Sequence, residues 1–370
     1  MKKYRLLFVV FASLLLFAGC KNEKQNNTEP EPETVETEVD YATLPAKQLE
    51  VLALENDGEA AYYLGRMYDY GLNDVTQNFA DSFKWYEISS NLGFPQGDLY
   101  LGYSYLNGSG CEVDLDSAKA CFQKAIDGGC KEGYVGLARC ILATNDAEQY
   151  QTACEYLETA YNYNLLDGYF FMGYFHEKGI GMDVDMEKAR ECYELVLQNA
   201  TDDINDQFAI NSANTRLGYI YANGLLGEED GKKAVSYLKE AAEHDFAEAN
   251  YYLGMMYLRG VSVDKNADKA LDYFEEAANK DYAPALSQIA YIYFKGYGVD
   301  VDYKQAVYYE KLAAAQGYAP SQINLGYLYE NGIGVDKNLE TALAYYKLAA
   351  ENNYEGAGEA VTRVETQLSK

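Results

Sequence analysis

One short helical phrase recurs eight times along this chain, and a fixed period of this kind constrains the fold more than any other feature. A small residue is followed four positions on by an apolar residue, then at once by Gly or Ala. An aromatic comes three after that, and a glycine closes the phrase. The Gly/Ala position reads Gly65, Gly102, Ala138, Gly173, Gly218, Gly254, Ala290 and Gly326, at successive spacings of 37, 36, 35, 45, 36, 36 and 36 residues. A period in this range marks a solenoid, in which each repeat buries its apolar face only against its neighbours. The expected fold is therefore all-α: a right-handed α/α solenoid of about eight helix–loop–helix repeats over residues 56–354, with a capping helix at each end.

Taking the Gly/Ala as position 0, the columns have distinct physical meanings. Position −5 is small throughout (Ala60, Gly97, Gly133, Gly168, Ala213, Ala249, Ala285, Ser321). Glycine inside a helix costs roughly 1 kcal/mol against alanine, so its recurrence implies close approach of a second helix. Position +3 reads Tyr68, Tyr105, Ile141, His176, Tyr221, Tyr257, Tyr293 and Tyr329, assigned to packing. Position +6 is Gly71, Gly108, Gly179, Gly224, Gly260, Gly296 or Gly332, the expected left-handed helix stop. Only the third repeat, with Thr144, lacks it. The second helix opens on an expected N-cap at Asn78, Asp114, Asp185, Asp230, Asn266, Asp302 or Asn338, with Gln149 the exception.

The stretches "AEANYYLGMMYLRGVSVDKNADKALDYFEEAANKDY" and "APSQINLGYLYENGIGVDKNLETALAYYKLAAENNY" carry L-G, Y, a glycine loop and K/T-A…Y…A-A together. They resemble Sel-one-like repeats (the SLR family), the longer-loop cousins of tetratricopeptide repeats. The resemblance implies an α-solenoid that serves as an adaptor or assembly platform, and it names no partner. The third repeat is degenerate. An insertion around "NATDDINDQFAIN" accounts for the spacing of 45.

The N-terminus reads as an export signal. Lys2, Lys3 and Arg5 precede an apolar run from Leu6 to Phe17, too short to span a bilayer. The run ends in Phe-Ala-Gly-Cys, similar to a bacterial lipobox with Phe17 in the usual Leu position. Residues 1–19 are thus expected to be a lipoprotein signal peptide and Cys20 the lipidated first residue of the mature chain. Residues 20–40 form an acidic, Pro-bearing segment expected to act as a disordered spacer, 41–55 an N-terminal cap and 355–370 a C-terminal cap. The expected location is the outer membrane of a bacterium, on its periplasmic face or the cell surface.

A formal charge of −28 argues against nucleic acid, which demands basic stripes. It leaves acyl chains as the membrane attachment and admits a basic partner. Cys111, Cys121, Cys130, Cys140, Cys154 and Cys192 follow Cys20. Export permits disulfides, which tie helices together in a cysteine-rich branch of the family. The irregular placement here favours free, buried thiols. No C-x-x-C pair exists for zinc. Asp183, Asp185 and Glu187 lack EF-hand spacing, and Asp185 already serves as an N-cap. His176 and His244 are the only histidines, with no nucleophile at readable spacing. Neither a catalytic site, a metal nor a cofactor is expected.

Function is therefore sought on a surface. At 100° per residue, columns −5, −1, 0, +2 and +3 fall on one side of the first helix, and −2, +1 and +5 on the other. The second side contains Tyr63, Arg66, Tyr100, Tyr103, Phe171, Tyr174, Arg216, Tyr219, Tyr252, Met255, Tyr291 and Tyr327. Tyr, Met and Arg are enriched at interface hot spots. The expected function is a membrane-tethered protein–protein interaction scaffold of the cell envelope that binds a protein or peptide on this concave face. Glycan binding, an inhibitor or immunity-type role and a penicillin-binding or β-lactamase-like activity are the alternatives.

Overall fold

The computed structural model describes residues 39–201, 206–227, 230–261 and 263–369, and among these every regular element is helical. Cys20, the signal segment and the spacer up to residue 38 lie outside the described residues. The chain divides into two units, Met1–Asn145 and Asp146–Lys370.

In the first unit a 3-10 turn, Tyr41–Thr43, leads into α1 (Ala46–Leu54). Two antiparallel pairs follow: α2 (Gly58–Tyr70) with α3 (Phe79–Asn91), and α4 (Pro95–Asn107) with α5 (Leu115–Asp127). Helix α6 (Gly133–Thr144) closes the unit. The second unit opens on α7 (Tyr150–Asn162) and runs through five pairs. These are α8 (Leu166–Lys178) with α9 (Met186–Asn199), α10 (Gln207–Ala222) with α11 (Gly231–Ala242), and α12 (Ala247–Arg259) with α13 (Ala267–Ala278). The last two are α14 (Ala283–Lys295) with α15 (Tyr303–Ala315) and α16 (Ala319–Asn331) with α17 (Leu339–Glu351), and α18 (Ala357–Leu368) ends the chain.

Local chemistry sets these boundaries. Asn78, Asp114, Asp185, Asp230, Asn266, Asp302 and Asn338 each accept from first-turn amides of the helix they precede. Gln149 makes no cap bond; Asp146 instead caps a 3-10 turn, Ala147–Gln149, before α7. First helices stop at Gly71, Gly108, Gly179, Gly260, Gly296 and Gly332, all left-handed. In α6 the left-handed residue is Asn145 (φ 51°), an asparagine doing what glycine does elsewhere. Helix α10 ends one residue early, on Asn223, and Gly224 takes the positive φ.

Close approach explains the Gly/Ala column at position 0. A Cβ placed on Gly65 would lie 2.6 Å from the Tyr86 ring, and one on Gly254 would lie 2.7 Å from Phe274. An aromatic or leucine of the second helix thus packs flat on the bare backbone of the first: Tyr86, Phe122, Tyr193, Leu238, Phe274 and Tyr346 are all buried. The −5 column is buried in every repeat, and so is position +2, from Met67 to Leu328.

Where that second-helix residue is tyrosine, the first helix supplies an acid at +4 to receive its hydroxyl. Tyr86 donates to Asp69 at 3.1 Å, Tyr193 to Glu177 at 2.8 Å and Tyr346 to Glu330 at 2.8 Å. Opposite Phe122, Leu238 and Phe274, position +4 is Leu106, Ala222 or Leu258. One repeat inverts the arrangement. Glu310 stands in the aromatic column with Phe294 at +4, and it is 5% exposed. It accepts from Asn324 Nδ2 at 2.8 Å and lies 3.4 Å from Ser287 Oγ, with no cation paired to it among the described residues. Burial raises its carboxyl from the ordinary glutamate range to about 7, partly opposed by those hydrogen bonds.

The +3 tyrosines are half-buried rather than sealed in the core. In the second unit they stack on tyrosines of the second helices: Tyr221 on Tyr237, Tyr257 on Tyr273, Tyr293 on Tyr309 and Tyr329 on Tyr345, with centroids 5.6–5.9 Å apart. Cys192 occupies the matching second-helix position opposite His176. All six described cysteines are free thiols. Burial lifts Cys121, Cys140 and Cys192 to about 11. These thiols stay protonated and poorly nucleophilic near neutral pH. His176 is half-buried with its Nδ1 unbonded, and burial followed by Lys188 holds its pKa below the usual histidine value.

Candidate interaction face

The twelve residues assigned to the first-helix face do not form one uniform surface. Those at −2 are half-buried. In the first unit Tyr63 stacks on Tyr41 (5.9 Å, 8° between planes), and Tyr100 packs against Tyr62 and Tyr86 at 5.4 and 5.3 Å. Burial raises the Tyr100 hydroxyl far above its ordinary value. In the second unit Phe171 lies edge-on to Phe170 (5.2 Å), and Tyr252 packs on Tyr219 (5.3 Å). Arg216 forms ion pairs with Glu248 at 2.9 Å and Glu177 at 3.6 Å.

The expectation that packing makes no claim on column −2 therefore needs correcting. Two of its members reach the second-helix residue of the preceding repeat: Tyr100 packs on Tyr86, and Asn324 bonds Glu310. An angular projection of one helix does not include the helix that arrives from the neighbouring repeat. The same omission hid column −3, in which Tyr62, Leu99, Val135, Phe170, Thr215 and Ser287 are buried.

Column +5 is exposed in every repeat, and column +1 only at Tyr291 and Tyr327. Tyr291 and Tyr327 are 41% and 51% exposed. Met255 is half-buried against the core cluster that contains Leu258 and Phe274. Arg66, Tyr103, Tyr174 and Tyr219 are half-buried, and cations lie over rings throughout. Arg66 sits 5.8 Å from Tyr62 and 5.7 Å from Tyr70; Arg139 is 4.9 Å from Tyr103. In the second unit Lys178 approaches Tyr174 and Tyr219 at 5.8 and 5.9 Å, Arg216 reaches Tyr174 at 5.8 Å, and Lys295 reaches Tyr291 at 5.8 Å. Such contacts contribute on the order of 0.5–1 kcal/mol at exposed sites. The i,i+4 spacing of Tyr174 to Lys178 and of Tyr291 to Lys295 was the available sequence signal for them.

Asp185 is committed to capping α9 through Lys188 N (3.0 Å), and no group of three or more His, Cys, Asp or Glu able to hold a metal occurs among the described residues. No helix among these residues is long and apolar enough to cross a membrane.

The Sel1 repeat model matches residues 58–94, 95–130, 166–195, 211–246, 247–282, 283–318 and 319–354. Between these it passes over 131–165, which contains the degenerate third repeat, and 196–210, which contains the insertion. Among solved structures, a Sel1 repeat protein from Oxalobacter formigenes is similar at 23% identity, covering 86% of this chain and 89% of that one with a TM-score of 0.51. The protective antigen c5321 of uropathogenic Escherichia coli, which displays an SLR fold, is 23% identical over 87% of this chain and 75% of its own, with a TM-score of 0.39. A putative Sel1 repeat protein from Klebsiella pneumoniae subsp. pneumoniae is 20% identical over 67% of this chain and 99% of its own, with a TM-score of 0.31. No curated protein matches the chain at a significant level.

Proposed function

Because the chain belongs to the Sel1 repeat family, we propose that it is a protein-interaction scaffold, tethered to an envelope membrane through Cys20, that engages its partner on the open columns of the first helices. The observation that carries this reading is the pair Tyr291 and Tyr327. Large aromatics that the fold does not need to bury stand at equivalent positions in adjacent repeats, beside an exposed Lys295. Exposed aromatics rimmed by polar groups are the usual composition of a recognition surface. The apolar run from Leu6 to Phe17, with Cys20 three residues beyond it, supports the tether.

Two variants test the two halves. Cys20→Ser is expected to release the protein from detergent-phase extracts into the aqueous phase; continued detergent partitioning contradicts the tether. Tyr291→Ala with Tyr327→Ala is expected to abolish partner capture while leaving the melting curve within a few degrees of wild type, since hot-spot aromatics contribute about 2 kcal/mol or more each. Undiminished capture by that variant contradicts the assigned face.

A further inference from the structure

The charge of the first-helix face is opposite to that of the protein. The whole chain contains 58 acidic and 30 basic residues. Yet across the five repeats of the second unit, columns −2, +1 and +5 hold no Asp or Glu at any position. They hold Lys178, Arg216, Arg259 and Lys295. The acids of these helices sit in the first turn, at Asp167 and Glu248, or buried at Glu177 and Glu330. The helix macrodipole favours this separation, and its result is a strip whose accessible charge is positive.

Two of the four cations are already engaged. Lys178 lies 2.6 Å from Glu177, and Arg216 is shared between Glu177 and Glu248. Arg259 and Lys295 differ. Each is exposed at +5 of adjacent repeats, and neither forms an ion pair among the described residues. They flank the open tyrosine at 291, with Tyr327 in the next repeat.

From this arrangement we infer that the partner presents an acidic, extended peptide segment, whose carboxylates pair with Arg259 and Lys295 while its side chains pack between Tyr291 and Tyr327. This deepens the scaffold reading and rests on it. The net charge admits a basic partner, but recognition follows the local field rather than the sum. A guanidinium at 259 offers a carboxylate two parallel donors.

The test measures anisotropy of a fluorescein-labelled twelve-residue peptide of alternating Glu and Ser against the full chain in detergent. Expected are saturable binding that weakens several-fold between 50 and 200 mM salt (about 14 and 7 Å of screening length), and at least a tenfold loss in Arg259→Glu with Lys295→Glu. Arg259→Gln with Lys295→Gln should give an intermediate loss and guards against misfolding of the reversed variant. Lys239→Glu with Lys304→Glu makes the same change in net charge on second helices and should stay within twofold of wild type. Four results overturn the inference. Wild type fails to bind the peptide at 1 mM. The two reversal variants lose affinity equally. An oligogalacturonate of equal charge competes as well as unlabelled peptide, which makes any polyanion the ligand. Or deletion of residues 21–38 raises affinity tenfold, which makes the chain's own acidic segment the occupant. If cross-linking from positions 291 and 327 still finds a partner while the peptide fails, the face stands and only its charge preference falls.

Discussion

The Tyr346 phenol donates to Glu330 Oε2 at 2.8 Å, and Arg363 of the terminal helix reaches the same carboxylate at 2.8 Å. A terminal helix is thereby fastened to the last full repeat by charge-assisted bonds as well as by Val364 and Ala360. The Tyr–acid pairing recurs at Tyr193–Glu177 and Tyr86–Asp69, and repeats without the tyrosine have no acid at the same place. The two positions vary as a unit because a buried carboxylate without a donor is costly.

Removing the Tyr193 hydroxyl tests that coupling. Tyr193→Phe leaves the 3%-exposed Glu177 short of a donor and should destabilise by about 2 kcal/mol. Tyr193→Phe combined with Glu177→Leu copies the Phe274–Leu258 pair of another repeat. The double variant should lose less than the sum of the two single losses in denaturant melts. Strict additivity would mean the two positions are independent.

Gly254→Val addresses close packing. The Phe274 ring already lies 2.7 Å from where a Cβ would stand, so a branched side chain must push the helices apart. Thermal melting should report a loss of about 1–3 kcal/mol, with Gly254→Ala between it and wild type. An unchanged melt would place that column on the surface.

Glu310 gives the fold a pH dependence of defined sign. Its folded carboxyl titrates near 7, above the unfolded glutamate. The folded state therefore binds more protons between about pH 4.5 and 7. The stability this contributes is complete below that window and lost as pH rises through it, on the order of 3 kcal/mol at most. Glu310→Gln should melt close to wild type at pH 5 and clearly above it at pH 8. A difference that does not change with pH would show that Glu310 is ionised in the folded protein throughout.

The repeat length, the helix pairs and their stops were legible because each rests on local chemistry. A side chain that caps its own helix, as at Asp302, or a glycine that needs positive φ, as at Gly296, announces itself in one dimension. Asn145 replacing glycine in the third repeat was not anticipated, since Thr144 held the expected column. The face was legible only in part. Column +5 emerges open in every repeat, and column +1 only at Tyr291 and Tyr327. Column −2 does not, because whether Tyr100 is covered depends on Tyr86 of the preceding repeat, information absent from any single-helix projection. The inversion at Glu310 was visible as a letter, but its burial was not.

The account stands or falls on which side of the first helices meets the partner. A photo-cross-linking residue placed singly at Tyr291 and Tyr327, and for comparison at Tyr308 and Leu348 on the second helices, measures this in producing cells. All four are exposed, from 41% to 55%. The account predicts one shared cross-linked species from positions 291 and 327 and none from 308 or 348. Cross-links from the second-helix positions alone would contradict it.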